Sequence, residues 1–161
     1  MSERNIRLTV AYDGTDFSGW QRQDGDRSVQ GEIEAALEKM HKRPVVLYGS
    51  GRTDAGVHAA GPVAHFHSPI ASIPAERYSL ALHALLPRDC RVLESADASP
   101  DFHARFDAKS RTYRYFIVCG RPALPHELRY AWQLWRRPDV ARLNAMAAHL
   151  LGETDCSTFA T

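Results

Sequence analysis

Within the first hundred residues the spacing of apolar side chains switches from every second position to every third or fourth and back, twice over. Ile6, Leu8, Val10 and Tyr12 alternate with Arg7 and Thr9, the period of a strand with one buried face. From Ser28 onward Val29, Ile33, Ala36, Leu37 and Met40 share one helical face. Ser28 supplies a cap and Pro44 a stop, with Glu32 and Glu34 early and Lys39, Lys42 and Arg43 late, as the helix dipole favours. Val45 to Tyr48 and Pro62 to His67 then read as strands. Pro74 opens a second helix with Tyr78, Ala81, Leu82 and Leu85 on one face, Pro87 closes it, and Cys90 to Leu93 reads as a fourth strand. The order β-α-β-β-α-β predicts an α+β, ferredoxin-like unit, an antiparallel sheet with two helices on one face, complete by about residue 98.

The remaining third of the chain is less regular. After a connector from Asp97 to Ser110, Arg111 to Cys119 alternates like a strand, with Tyr113, Tyr115 and Ile117 pointing one way. Pro122, Pro125 and Pro138 break up the next stretch, in which Trp132 and Trp135 are candidate anchors. Val140, Leu143, Met146, Ala147 and Leu150 form the face of a last helix that stops at Gly152. The expected division is residues 1–104 as one domain and 105–161 as the strand, irregular segment and helix that begin a second.

With 44% hydrophobic and 24% charged residues among 161, the chain has the mix of a soluble globular protein. No apolar run approaches a membrane span and the N-terminus lacks an apolar signal region, so the expected location is the cytoplasm. Cys90, Cys119 and Cys156 are odd in number and far apart, which reads as free thiols. A net charge of +1 excludes a generally basic coat. The distribution is uneven: residues 101–142 hold nine Lys/Arg against four Asp/Glu, and residues 1–100 hold eleven against thirteen. That surplus suits phosphate contacts, and equally a solvated face.

The two middle strands are joined by Gly49-Ser50-Gly51-Arg52-Thr53-Asp54-Ala55-Gly56-Val57-His58. The glycines suggest a tightly curved segment, and residues two apart in extended chain point the same way, so Arg52 and Asp54 can face one site. The plainer reading is a surface turn with a local ion pair. Against it, apolar runs anchor the loop at both ends, and a rigidly held carboxylate is what a covalent catalyst needs.

Residues 51–58 resemble the signature of the tRNA pseudouridine synthase A family. Tyr12-Asp13-Gly14-Thr15, Gly19-Trp20-Gln21, Ser28-Val29-Gln30, Phe102-His103-Ala104-Arg105 and Arg111-Thr112-Tyr113-Arg114-Tyr115 follow in that family's order, so the resemblance covers nearly the whole chain. It implies the pseudouridine synthase fold and the isomerisation of uridine to pseudouridine in the anticodon stem-loop of tRNA, with no cofactor and no metal. It also implies Asp54 as the catalytic carboxylate, Arg52 as an RNA contact that helps displace the base, and Tyr113 as the ring that stacks on the uracil. Family members work as homodimers clamping one tRNA and continue into a second half that completes the cleft. Here residues 152–159 resemble the motif at which that half begins, with Thr154 and Cys156 in place of the usual His and Phe. The chain therefore reads as a fragment or a shortened relative. Exposed apolar surface near its C-terminus and little or no turnover are expected.

Two rival readings remain. An RNA-binding module of the same fold without turnover would not need Asp54. A metal hydrolase would draw on His65 and His67, which strand geometry puts on one face, but no carboxylate or cysteine stands beside them at ligand spacing. His58 is expected to order the loop, and Trp20 to pack.

Overall fold

The computed structural model describes residues 3–159. It divides into two compact units, residues 1–111 and 112–161. In the first, the elements run β1 (Arg4–Tyr12), α1 (Val29–His41), β2 (Tyr48–Gly49), β3 (Ala59–Ser68), a 3-10 turn (Ala75–Arg77) leading into α2 (Tyr78–His83), and β4 (Cys90–Asp97). The four strands make one sheet in the order β2-β3-β1-β4, every neighbouring pair antiparallel.

The alternation in β1 does what its spacing dictates. Ile6, Leu8 and Val10 are fully buried against Ala64 and Phe66 of β3, Cys90 and Val92 of β4, Val29, Ile33, Ala36 and Leu37 of α1, and Tyr78 and Leu82 of α2. Both helices therefore cover one face of the sheet. Ser28 caps α1 by accepting from the Gly31 N–H at 3.2 Å, as the sequence predicts. Pro62 is tolerated inside β3 because the register with β1 slips there: Thr9 faces Val63 but Ala11 faces Ala60, so β3 carries an extra residue.

β2 is shorter than its apolar run suggests. Val45 and Leu47 are buried, but the backbone of Leu47 is satisfied from α1 rather than from a neighbouring strand. Its N–H donates to Glu34 Oε1 at 3.0 Å and its carbonyl accepts from Gln30 Nε2 at 3.0 Å. Arg27 closes the opposite end. It donates to both oxygens of Asp89 at 2.7 and 2.9 Å and to Glu32 at 2.8 Å, with its guanidinium 4.1 Å from the centre of the Phe17 ring. The paired Arg27 holds the Asp89 carboxyl below its ordinary range.

The second unit departs further from expectation. Of the predicted strand from Arg111 to Cys119 only Ile117–Cys119 (β5) forms, paired in parallel with Trp132–Leu134 (β6). Residues 111–116 have no ladder partner among the described residues, and without one a strand is not stable. Trp132 and Trp135 are exposed rather than anchoring. α3 (Val140–Ala147), capped by Asp139 on the Arg142 N–H, buries none of its residues. Val140, Leu143, Met146 and Leu150 form an open apolar stripe.

Candidate active-site loop

The Gly49–His58 segment lies on a bed of buried aromatic rings. Tyr12, the last inward residue of β1, stands with its ring centre 6.4 Å from Phe17 and 6.0 Å from Trp20, and all three side chains are buried. The Trp20 indole lies flush beneath Gly49: a Cβ there would sit 2.5 Å from ring carbons. Only a residue without a side chain lets the chain cross the ring at that height.

From this bed the loop is pinned at both ends and in its middle. Ser50 N–H donates to the Val63 carbonyl at 2.8 Å, and Arg111 Nη2 donates to the Ser50 carbonyl at 3.0 Å. Trp20 N–H donates to the Thr53 carbonyl at 3.0 Å, and the Tyr12 hydroxyl lies 2.9 Å from the Thr53 hydroxyl. Gly56 N–H donates to the Phe17 carbonyl at 3.3 Å, and Gly14 N–H to His58 Nδ1 at 3.1 Å. Val57 N–H closes a turn on the Asp54 carbonyl at 3.3 Å, with Gly56 in its third position at φ +79°. A positive φ at that position is why a glycine stands there.

Arg52 and Asp54 are both exposed on this pinned segment. Among the described residues neither makes an ion pair, with each other or with anything else. The local ion pair of the plainer reading is absent, and Arg52 does not steady the carboxylate. The loop's rigidity comes from the framework beneath it. Tyr113 belongs to the second unit, where it is 70% exposed.

Of the residues that hold the candidate loop, the sequence points to His58, which accepts from Gly14 N–H at 3.1 Å, and not to the others. Gln30 serves as a bracket, its amide oxygen accepting from Arg22 N–H at 3.0 Å while its amide nitrogen donates to Leu47. Tyr12 and Arg111 reach the loop from positions 41 and 61 residues away in the chain. Only the motifs that contain them signalled their importance.

His65 and His67 do share the sheet face away from the helices, their rings 5.7 Å apart and edge to face. His65 is buried between Tyr48, stacked at 4.9 Å, and the 98–107 connector, whose Ala104 N–H donates to His65 Nδ1 at 3.1 Å. Burial, with His103 and His67 nearby, lowers its pKa to about 4. Among the described residues no three His, Cys, Asp or Glu side chains are grouped to hold a metal ion.

The sequence model of the tRNA pseudouridine synthase family matches residues 8–107, which spans β1 to the connector and includes the whole loop. The chain belongs to that family. It is 50% identical to tRNA pseudouridine synthase A of Treponema denticola over 98% of its own length and 61% of the relative's. The corresponding proteins of Treponema pallidum and Halalkalibacterium halodurans are 48% and 43% identical, covering 98% and 97% of this chain and 58% and 59% of theirs. The chain thus spans about three-fifths of the length of the curated relatives it matches. Among its described residues no helix is long and apolar enough to cross a membrane.

Proposed function

We propose that this chain carries the catalytic loop of a tRNA pseudouridine synthase, which isomerises uridine to pseudouridine in the anticodon stem-loop. One observation carries the reading: an exposed carboxylate, Asp54, on a loop whose backbone is tied to a buried framework at residues 50, 53, 56 and 58. The reaction breaks the bond from N1 to ribose C1′, turns the base, forms the C5 to C1′ bond, and exchanges protons with solvent as C5 loses one and N1 gains one. An ionised carboxylate opens that sequence by attacking C6 or C1′, or by removing a proton so that a glycal forms. The reaction has no net redox change.

The target base must leave its stack, at a cost of roughly a few kcal/mol. Arg52, exposed two residues before Asp54, is the proposed RNA contact that helps displace it, and Tyr113, with an open ring face, the proposed stacking partner of the uracil. The first unit reads as ferredoxin-like, a view supported by its element order and by the antiparallel order β2-β3-β1-β4. In this reading residues 1–104 are the domain that carries the loop, and residues 105–161 belong to a second one. The working enzyme is read as a cytoplasmic homodimer.

The test is tritium release from tRNA carrying 5-tritiated uridine, on the longest chain the gene encodes and on Asp54→Asn. Release that Asp54→Asn abolishes while tRNA binding persists is expected. Undiminished release by that variant would refute the assignment.

A further inference from the structure

The Asp54 carboxylate has no hydrogen-bond partner among the described residues, so whatever aims it acts through the backbone. The neighbouring Thr53 is held by both its main chain and its side chain. Its carbonyl accepts from Trp20 N–H at 3.0 Å, which sets the plane of the Thr53–Asp54 peptide. Its hydroxyl meets the Tyr12 hydroxyl at 2.9 Å. Threonine is β-branched and stiff about χ1, so a fixed hydroxyl fixes the backbone one bond away. Gly19 closes the remaining direction: a Cβ on it would lie 2.6 Å from the Thr53 carbonyl oxygen, so the chain there sits hard against the loop.

We propose that Tyr12 is a positioning residue for Asp54: its buried hydroxyl clamps Thr53 and thereby sets the direction of the adjacent carboxylate. The inference rests on the proposed role of Asp54. Tyr12 is 5% exposed at the end of β1, and its ring is already held by Phe17 and Trp20, so packing does not require the hydroxyl. Burial raises the Tyr12 pKa, so the hydroxyl stays protonated and keeps both donor and acceptor capacity across the working range. A buried hydroxyl that lost its partner would carry a desolvation cost, which makes the pair mutually dependent.

The experiment removes one hydroxyl at a time while keeping shape. In Tyr12→Phe and in Thr53→Val, amide exchange at Trp20, Gly56 and Val57 should rise about threefold to tenfold, the worth of one net hydrogen bond. Exchange in the β1–β3 ladder should stay unchanged. On the longest chain the gene encodes, the single-turnover rate of tritium release at saturating tRNA should fall about tenfold or more, with tRNA affinity unaltered, as expected when positioning and not binding is lost. Thr53→Ser, which retains the hydroxyl, should stay near the parent in both readouts. The double variant Tyr12→Phe/Thr53→Val should lose no more than either single one, since both remove the same contact. Unchanged loop exchange and turnover in Tyr12→Phe would overturn the proposal, as would additive losses in the double variant. Were Asp54→Asn to keep releasing tritium, the catalytic reading would fall, while the exchange measurements would still decide whether the clamp exists.

Discussion

Adding a single carbon at Gly14 tests whether the loop is held from below. Gly14 is buried two residues past the end of β1, opening a 3-10 turn, and a Cβ built on it overlaps the Val57 carbonyl oxygen and crowds the Gly56 carbonyl carbon. Both are backbone atoms, so no side chain can swing aside. Gly14→Ala must therefore push the descending arm of the loop away, and with it His58, whose Nδ1 accepts from the Gly14 N–H at 3.1 Å. Overpacking of this kind costs roughly 1–3 kcal/mol. Loss of the hydrogen bond adds about 0.5–1.5 kcal/mol. Together they cost about 1.5–4.5 kcal/mol, a large share of the roughly 5–15 kcal/mol that holds a domain of this size together.

The assay is urea unfolding, with midpoint and slope both fitted, beside Gly25→Ala as control. Gly25 has a left-handed backbone, at φ +86°, but a Cβ there meets nothing within 4 Å, so its substitution costs only the local strain, about 1–2 kcal/mol. Gly14→Ala should lower the midpoint more than Gly25→Ala at equal slope, and should reduce tritium release further than unfolding accounts for. A Gly14→Ala protein no less stable than the control would show that the loop tolerates displacement, and the pinned-framework argument would fail.

Glu34 makes a second test of the framework. It is 8% exposed and accepts from the buried Leu47 N–H at 3.0 Å, so Glu34→Ala should cost about 2–4 kcal/mol in urea unfolding, and Glu34→Gln, which keeps an oxygen acceptor, distinctly less. His65 makes a pH test. Its folded pKa of about 4 lies below the unfolded value near 6.5, so the unfolded chain binds the proton first. Stability should be fully present above about pH 6.5 and fall by up to about 3 kcal/mol as pH drops towards 4, because protonation at Nδ1 ends the bond from Ala104. In His65→Gln that slope should flatten, leaving only the acid limb below the ordinary carboxylate range that the Arg27–Asp89 pair imposes. A slope unchanged by the substitution would assign it elsewhere.

Where periodicity and a partner agree, the sequence is readable: β1 alternates because β3 and β4 flank it, and α1 shows its cap and its buried face in the same stretch. Where a segment's hydrogen bonds go to side chains, periodicity misleads. Val45 to Tyr48 is an apolar run that reads as a strand, yet Glu34 and Gln30 satisfy Leu47, and nothing in the spacing of a helix says that two of its polar residues will do so. Residues 111–116 fail for the opposite reason, since they have the pattern of a strand and no ladder partner among the described residues. The same division runs through the site. Asp54 and Arg52 stand out as candidates because a carboxylate and a guanidinium are conspicuous by type between glycines. Trp20 packs as its place in the sequence predicts, but Tyr12 and Arg111 are not legible, because an aromatic at a strand end or an arginine opening a strand pattern looks like packing or solvation until the fold sets it against the loop. The two glycines that most constrain that loop from outside it, Gly14 and Gly19, read in sequence as ordinary turn residues. Their necessity lies in carbonyl oxygens some forty and thirty residues further along the chain, information that only the folded backbone holds.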